Sequence, residues 1–264
     1  MGSLTTYAEN ALLQHVFKII TYVPASTLFV GLGSSVSVEP NPTLLEFTGG
    51  EYTRQSISFL AASDRQITQE SDILYPAVTS NLGTIRNYGI FDAAIGGNML
   101  AYGSLEEEKV YEAGKEAFIG NGSIVISVNT GGTSTSYANK LLNFMFRNIN
   151  LTPATNMYVG ITTVNISDND FGDDISELGM TNYVRQLCNS WSAPSGTPRS
   201  SSNGIVINFG QLLGNASIMR AGFIIDSASG NGEIIAYANS AVVTTIGSGD
   251  IVKYPVGNFI VRMN

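Results

Sequence analysis

The sequence is poor in the residues that most site chemistry uses. Its 264 residues include one cysteine, one histidine and one tryptophan. A lone thiol, Cys188, excludes an internal disulfide and any multi-thiolate metal centre. With His15 as the only imidazole, a Ser-His-Asp triad would have to use it, and a metal site would have to be made of carboxylates. Charge is scarce too, at 13% of residues against about 25% in an average soluble domain. The thirteen basic residues are scattered singly, which argues against nucleic acid as a partner, because a phosphate backbone is held by clustered Lys and Arg. No run of about 18 apolar residues is present, so no helical membrane span is expected. The opening Met1-Gly2-Ser3-Leu4-Thr5-Thr6 has neither the basic nor the apolar region of a secretory signal. Heptads and collagen-like triplets are missing, and with them any fibre shaft.

Hydroxyls and amides take the place of charge. The chain has 28 Ser, 21 Thr and 23 Asn, with a net charge of -8. Its dominant feature is an internal repeat, the signal that most constrains architecture. Asn10-Ala11-Leu12-Leu13-Gln14-His15-Val16-Phe17-Lys18 aligns with Asn139-Lys140-Leu141-Leu142-Asn143-Phe144-Met145-Phe146-Arg147. Without a gap, Pro24 to Leu32 then aligns with Pro153 to Ile161. Tyr52-Thr53-Arg54-Gln55 matches Tyr183-Val184-Arg185-Gln186, and Gly89, Asp92 and Ala101-Tyr102 match Gly222, Asp226 and Ala236-Tyr237. Two tandem domains follow, 1–129 and 130–264, with Asn129 to Ser136 as a Gly/Ser/Thr-rich linker.

Each domain opens with a helical pattern. Leu12, Leu13, Val16, Phe17 and Ile20 form one apolar stripe, and Pro24 and Pro153 are expected to end the helices. Strands are expected over 28–32, 53–59, 73–75, 84–91, 99–104 and 123–128, separated by turns such as Gly49-Gly50 and Gly96-Gly97-Asn98. Many short strands punctuated in this way indicate a mainly β fold: two antiparallel β-sandwich domains, each preceded by one helix.

Few residues invite chemistry. His15 aligns with Phe144, so it reads as a packing position rather than a general base. Cys188 aligns with Ile57 and reads as a buried free thiol. The acidic loop from Asp168 to Glu177 is the one plausible cation site, but its glycine misses the EF-hand position; the default is a solvated loop, and whether it binds calcium stays open. Glu106-Glu107-Glu108 reads as a wet turn or edge. Arg54 and Arg185 each stand two residues after a tyrosine, on the same strand face. The expectation is that Arg54 meets Asp92 and Arg185 meets Asp226, tying strand to strand, with ligand binding by the arginines as the alternative. No catalytic, cofactor-binding or metal residues are assigned. The first half carries six basic and thirteen acidic residues, the second seven and eight. The near-neutral half is therefore expected to bury more surface against partners.

The order Tyr7-x-Glu9-Asn10-x-Leu12-Leu13, Pro24-Ala25-Ser26-Thr27-Leu28-Phe29-Val30-Gly31-Leu32, Gly50-x-Tyr52-x-Arg54-Gln55 and Gly89-Ile90-Phe91-Asp92-Ala93-x-x-Gly96-Gly97-Asn98-x-Leu100 resembles a family of small bacteriophage tail-fibre-like or minor structural proteins. The second repeat departs from it, with Asp226-Ser227-Ala228-Ser229-Gly230-Asn231-Gly232 in place of the Asp-Ala-x-x-Gly-Gly-Asn run. The resemblance implies a virion component, not an enzyme, here as a tandem fusion of a unit that usually occurs once. It carries no catalytic residue and no cofactor. The expected function is a structural module on the tail or head surface, partnered with other virion proteins as a homo-oligomer or lattice component. Two alternatives compete: a host-receptor or carbohydrate-binding module using Trp191 or loop Tyr and Asn residues, and a hydrolase built on Asp173, Asp174 and Glu177.

Overall fold

The two helices start where side-chain oxygens cap them and stop where the backbone turns left-handed. The computed structural model describes residues 2–38, 40–129 and 132–263. Helix α1 (Thr6–Val16) is capped by Thr5, which accepts from Ala8 N, and α2 (Thr135–Arg147) by Ser134, which accepts from Tyr137 N. Such a cap satisfies an orphaned N–H of the first turn. Both helices end well before the prolines expected to stop them. Lys18 (φ 57°) and Asn148 (φ 52°) terminate them instead, a left-handed conformation that ends a helix by itself. Ile20 consequently leaves the apolar stripe and is 56% exposed.

In the first repeat, α1 is preceded by strand β1 (Ser3–Leu4) and followed by β2 (Leu28–Val36), β3 (Leu44–Glu46), β4 (Gln55–Ile57), β5 (Gln66–Thr68) and β6 (Ile73–Tyr75). Then come β7 (Gly83–Phe91), β8 (Met99–Tyr111), β9 (Ala117–Ile119) and β10 (Val125–Ser127). After α2 the second repeat supplies β11 (Tyr158–Thr162), β12 (Gln186–Leu187), β13 (Ser200–Ser202) and β14 (Ile207–Gln211). It closes with β15 (Ser217–Ile225), β16 (Ile234–Ile246), β17 (Ile251–Tyr254) and β18 (Ile260–Arg262).

Pairing repeats along with sequence. The first large sheet runs β1-β8-β7-β2-β3 with β4 also on β2, and the second β12-β11-β15-β16. Two short ladders accompany each, β10-β5 and β6-β9 in the first repeat, β13-β18 and β14-β17 in the second. Every ladder is antiparallel. One face of the first sheet (Leu28, Val30, Leu32, Ile85, Ile90) packs in a common core with Ile67, Tyr75, Ile119 and Ile126 of the short ladders. This is the two-layer arrangement in which a sheet buries one face. Hydrogen-bond register corrects one alignment. Gly31 faces Gly89 on β7, but Gly160 faces Phe223 on β15, and Gly222 faces Ile161. Because Leu32, the counterpart of Ile161, faces Tyr88, Gly222 stands where the first repeat has Tyr88, not Gly89. Matching on glycine identity slipped the strand by one residue, which moves every side chain to the opposite face.

The helices join the halves crosswise. His15 stacks on Phe144, its own counterpart, with ring centroids 4.3 Å apart. Phe17 stacks on Trp191, also at 4.3 Å, while its counterpart Phe146 packs on Phe59 at 5.4 Å. Trp191 and Phe59 hold corresponding places beyond β12 and β4. Contacts of i with j′ and j with i′, and of one residue with its own copy, define an approximate two-fold relation, the geometry of an isologous dimer interface. The core reflects this. A single buried cluster runs from Leu4 to Met263 and includes both helices; a smaller one, with Ile166, Ile175, Phe223 and Ile225, covers the other face of the second sheet.

Candidate functional site

What the halves share at residue level is a staple on the outer face of each large sheet. In the first repeat, Glu46 at the end of β3 receives Arg54 Nε at 2.8 Å on Oε1 and Nη2 at 2.7 Å on Oε2. Tyr52 OH accepts from Leu32 N at 2.6 Å and donates to Glu46 Oε1 at 3.2 Å. Arg54 Nη1 donates to Ala93 O and Gly96 O in the loop between β7 and β8, at 2.9 and 2.7 Å. Its guanidinium lies 3.3 Å from the centroid of the Phe91 ring, a cation–π contact. The second repeat rebuilds the set. Arg185 Nε and Nη2 reach Glu177 Oε1 at 3.0 and 2.7 Å, and Tyr183 OH accepts from Ile161 N and donates to Glu177 Oε2. Ser227 O and Oγ and Gly230 O, in the loop between β15 and β16, take the remaining Arg185 donors. The arginine side chains are 10% and 2% exposed, so each pair holds its charges largely away from water.

The expected carboxylate partners are thus corrected. Asp92 does not meet Arg54; its two oxygens accept from Asn98 N and Asn98 Nδ2, at 2.6 and 2.8 Å. Asp226 does not meet Arg185; its Oδ1 accepts from Glu233 N at 2.8 Å. A short aspartate at a hairpin tip is satisfied by its own loop, whereas the longer glutamate reaches the arginine from the neighbouring strand. The tie between strand and hairpin survives in another form, since each arginine holds the carbonyls of the loop that its aspartate shapes. Gly97 (φ 71°) makes this possible: a Cβ there would lie 2.4 Å from Asp92 Oδ1. The missed residues, Glu46 and Glu177, carried a readable signal, because both precede their arginine by the same eight positions. Burial raises the hydroxyl pKa of Tyr52 and Tyr183 far above 10, so both remain neutral donors. With four of the five N–H donors of Arg54 and all five of Arg185 held by protein acceptors, the arrangement fastens strands.

The other candidates fall elsewhere. His15 is buried at 6% exposure; its Nε2 lies 2.7 Å from Leu151 O and its Nδ1 accepts from Tyr22 N, so both ring nitrogens are committed to backbone. Cys188 is buried and free, and burial pushes its thiol up to about 11. Trp191 donates Nε1–H to Cys188 O at 3.0 Å and is 8% exposed, which removes it as a sugar platform. In the acidic loop, Asp170 accepts from Ser167 N and Oγ, Asp174 from Phe171 N, and Asp168 lies 3.5 Å from Arg65. Among the described residues no group of three or more His, Cys, Asp or Glu is placed to hold a metal ion, and no helix is long and apolar enough to cross a membrane. Glu106 to Glu108 lie on the exposed outer stretch of β8, where Glu108 pairs with Arg86 at 2.8 Å.

Fold and site together define a duplicated, mainly β structural unit whose repeated side-chain set is a fastening device. The family model of the podophage GP4 fiber I protein gp80 matches this chain twice, over residues 3–127 and 132–262, and the chain belongs to that family. No curated protein matches it. The family is one of phage fibre proteins, so the resemblance read from the first repeat is borne out, together with the duplication.

Proposed function

We propose that this chain is a non-enzymatic structural component of a phage particle, carried on its surface as a tail-fibre-like or capsid-decorating module. Its working units are the repeats 1–129 and 130–264, joined as a pair. Its partners are other virion proteins, copies of itself included, and neither nucleic acid nor membrane belongs among them. The observation that carries this reading is the double match to a phage fibre family. The residues reproduced in both repeats add support, because they are spent on holding strands rather than on a cleft. The test is direct. Mass spectrometry of gradient-purified particles should find the chain at a fixed copy number, and imaging of particles with the chain labelled should place it on tail or head surface. Its absence from purified particles, with the protein left in the lysate, would overturn the reading.

A further inference from the structure

The repeats differ most along the outer stretch of their long hairpin strands. In the first, Tyr88 is buried at 1% exposure and its hydroxyl reaches the backbone of Gly2 and Gly103 so closely that neither position admits a Cβ. Strand β1 lies antiparallel to β8 there, and Gly2 bridges to Ile126. In the second, Gly222 replaces the tyrosine and the Phe259 ring takes part of its space, since a Cβ on Gly222 would lie 3.1 Å from Phe259 Cε2. A cleft of about 680 Å³ opens between β16 and β18, floored by Gly222 and walled by Tyr254, Phe259 and Arg262.

Charge differs at the same place. On β8, four residues, Leu105 to Glu108, oppose Arg86 alone, since Ile85 pairs with Lys109 and Asn87 with Ser104. They form a bulge that bends an edge outward. It bears Glu106, Glu107 and Glu108, of which Glu108 is paired with Arg86; the other two have no ion pair among the described residues. On β16 the corresponding bulge is Ser240 to Val243, opposite Arg220, with Val242 72% exposed. Val243 stands where Glu108 stands, so Arg220 has lost the carboxylate that Arg86 keeps. Arg262 at the cleft and Lys253 beside Tyr254 are likewise outside every ion pair among the described residues. One repeat thus presents unpaired carboxylates on a projecting bulge, and the other an open cleft beside unpaired cations.

We propose that the cleft of the second repeat receives the acidic bulge of the first repeat of another copy, so that chains associate head to tail. This rests on the reading of the chain as a structural component and names one of its partners as a second copy. Opposite patches on one chain make a heterologous contact, which propagates into rings or strings instead of closing as a two-fold dimer. Glu106 and Glu107 would face Arg262 in the cleft wall, with Arg220 and Lys253 on the neighbouring strands β15 and β17 adding positive charge nearby. Complementary charge of this kind fixes partner and register, and an exposed contact weakens as salt shortens the screening length.

Sedimentation of the full chain over a concentration series tests this, at about 0.05 M and about 0.5 M salt. Concentration-dependent association is expected at low salt and should weaken about tenfold or more at high salt. E106K/E107K should weaken it by a similar factor, and so should R262E, each with an unchanged melting temperature because these side chains are exposed. Mixing the two variants should restore association, since the basic bulge of one meets the carboxylate introduced at position 262 of the other. A chain that sediments as a monomer at every concentration, or an association indifferent to both charge reversals and to salt, would overturn the proposal. Either result would leave the test on purified particles undecided by it, so the two readings fail separately.

Discussion

Among the described residues, the first repeat is filled beside its long hairpin strand where the second keeps a cleft. Tyr88, Gly2 and β1 fill the space beside β8, whereas beside β16, where Gly132 O accepts from Tyr237 N and the Phe259 ring lies over Gly222, a cleft remains. Around these differing edges the framework is held constant: the Tyr-Arg-Glu staple, the sheet order and the crosswise aromatic contacts appear in both halves. Duplication therefore preserved what fastens the unit and changed what it shows to its surroundings. The helices also make the halves interdependent, since each supplies aromatic core to the other.

Breaking the crosswise contacts should have the largest effect. Phe17→Ala and Phe146→Ala should each destabilise by about 4 kcal/mol, the range for a phenylalanine removed from a core. Similar costs from both sites in urea titrations would support equivalence, and a cost at one site alone would break it. Glu177→Gln should follow at about 3 kcal/mol, because it strands the guanidinium of a largely buried pair. Glu46→Gln should cost less, since Arg54 is the more exposed arginine; the reverse order would show that the loop carbonyls, not the carboxylates, carry the staple.

Alkaline pH sharpens the comparison through a group present in one half alone. Burial raises the Cys188 thiol from 9.0 to about 11, so the folded state holds its proton more tightly than the unfolded chain. That contribution is complete below pH 9.0 and is lost as pH rises from there to about 11. The buried tyrosines, Tyr75 and Tyr137 among them, have hydroxyls raised for the same reason and extend the loss above pH 10. Denaturant midpoints should fall across this range, and Cys188→Ala should flatten the portion between 9 and 11. The smallest effect is expected at Arg86→Ala. Its pair with Glu108 is exposed on both sides and should change stability by under about 0.5 kcal/mol.

Much of this was legible in the sequence, and the exceptions have physical causes. The duplication, the mainly β class and most of the longer strands could be read because turn residues and apolar positions mark them. Strands β3, β5 and β9, each three residues long, were not among the expected strands, although β6 of the same length was. Helix ends were misplaced because Lys18 and Asn148 adopt a conformation usually left to glycine, while the prolines offered a more conspicuous stop. His15 was correctly read as packing from its alignment with Phe144, but that the two rings touch each other is a fact of tertiary assembly. The arginine partners were misjudged because the aspartates recur in both repeats as identical matched residues, which drew attention from Glu46 and Glu177, eight positions before each arginine. Side-chain reach decided between them.

Calorimetry of the intact chain tests the shared core most directly. If the helices weld the repeats into one body, heating should give a single transition whose calorimetric and van't Hoff enthalpies agree, and Phe17→Ala or Phe146→Ala should lower that transition as a whole. Two resolved transitions, one of which stays in place when the other is shifted by a substitution in its own half, would contradict it.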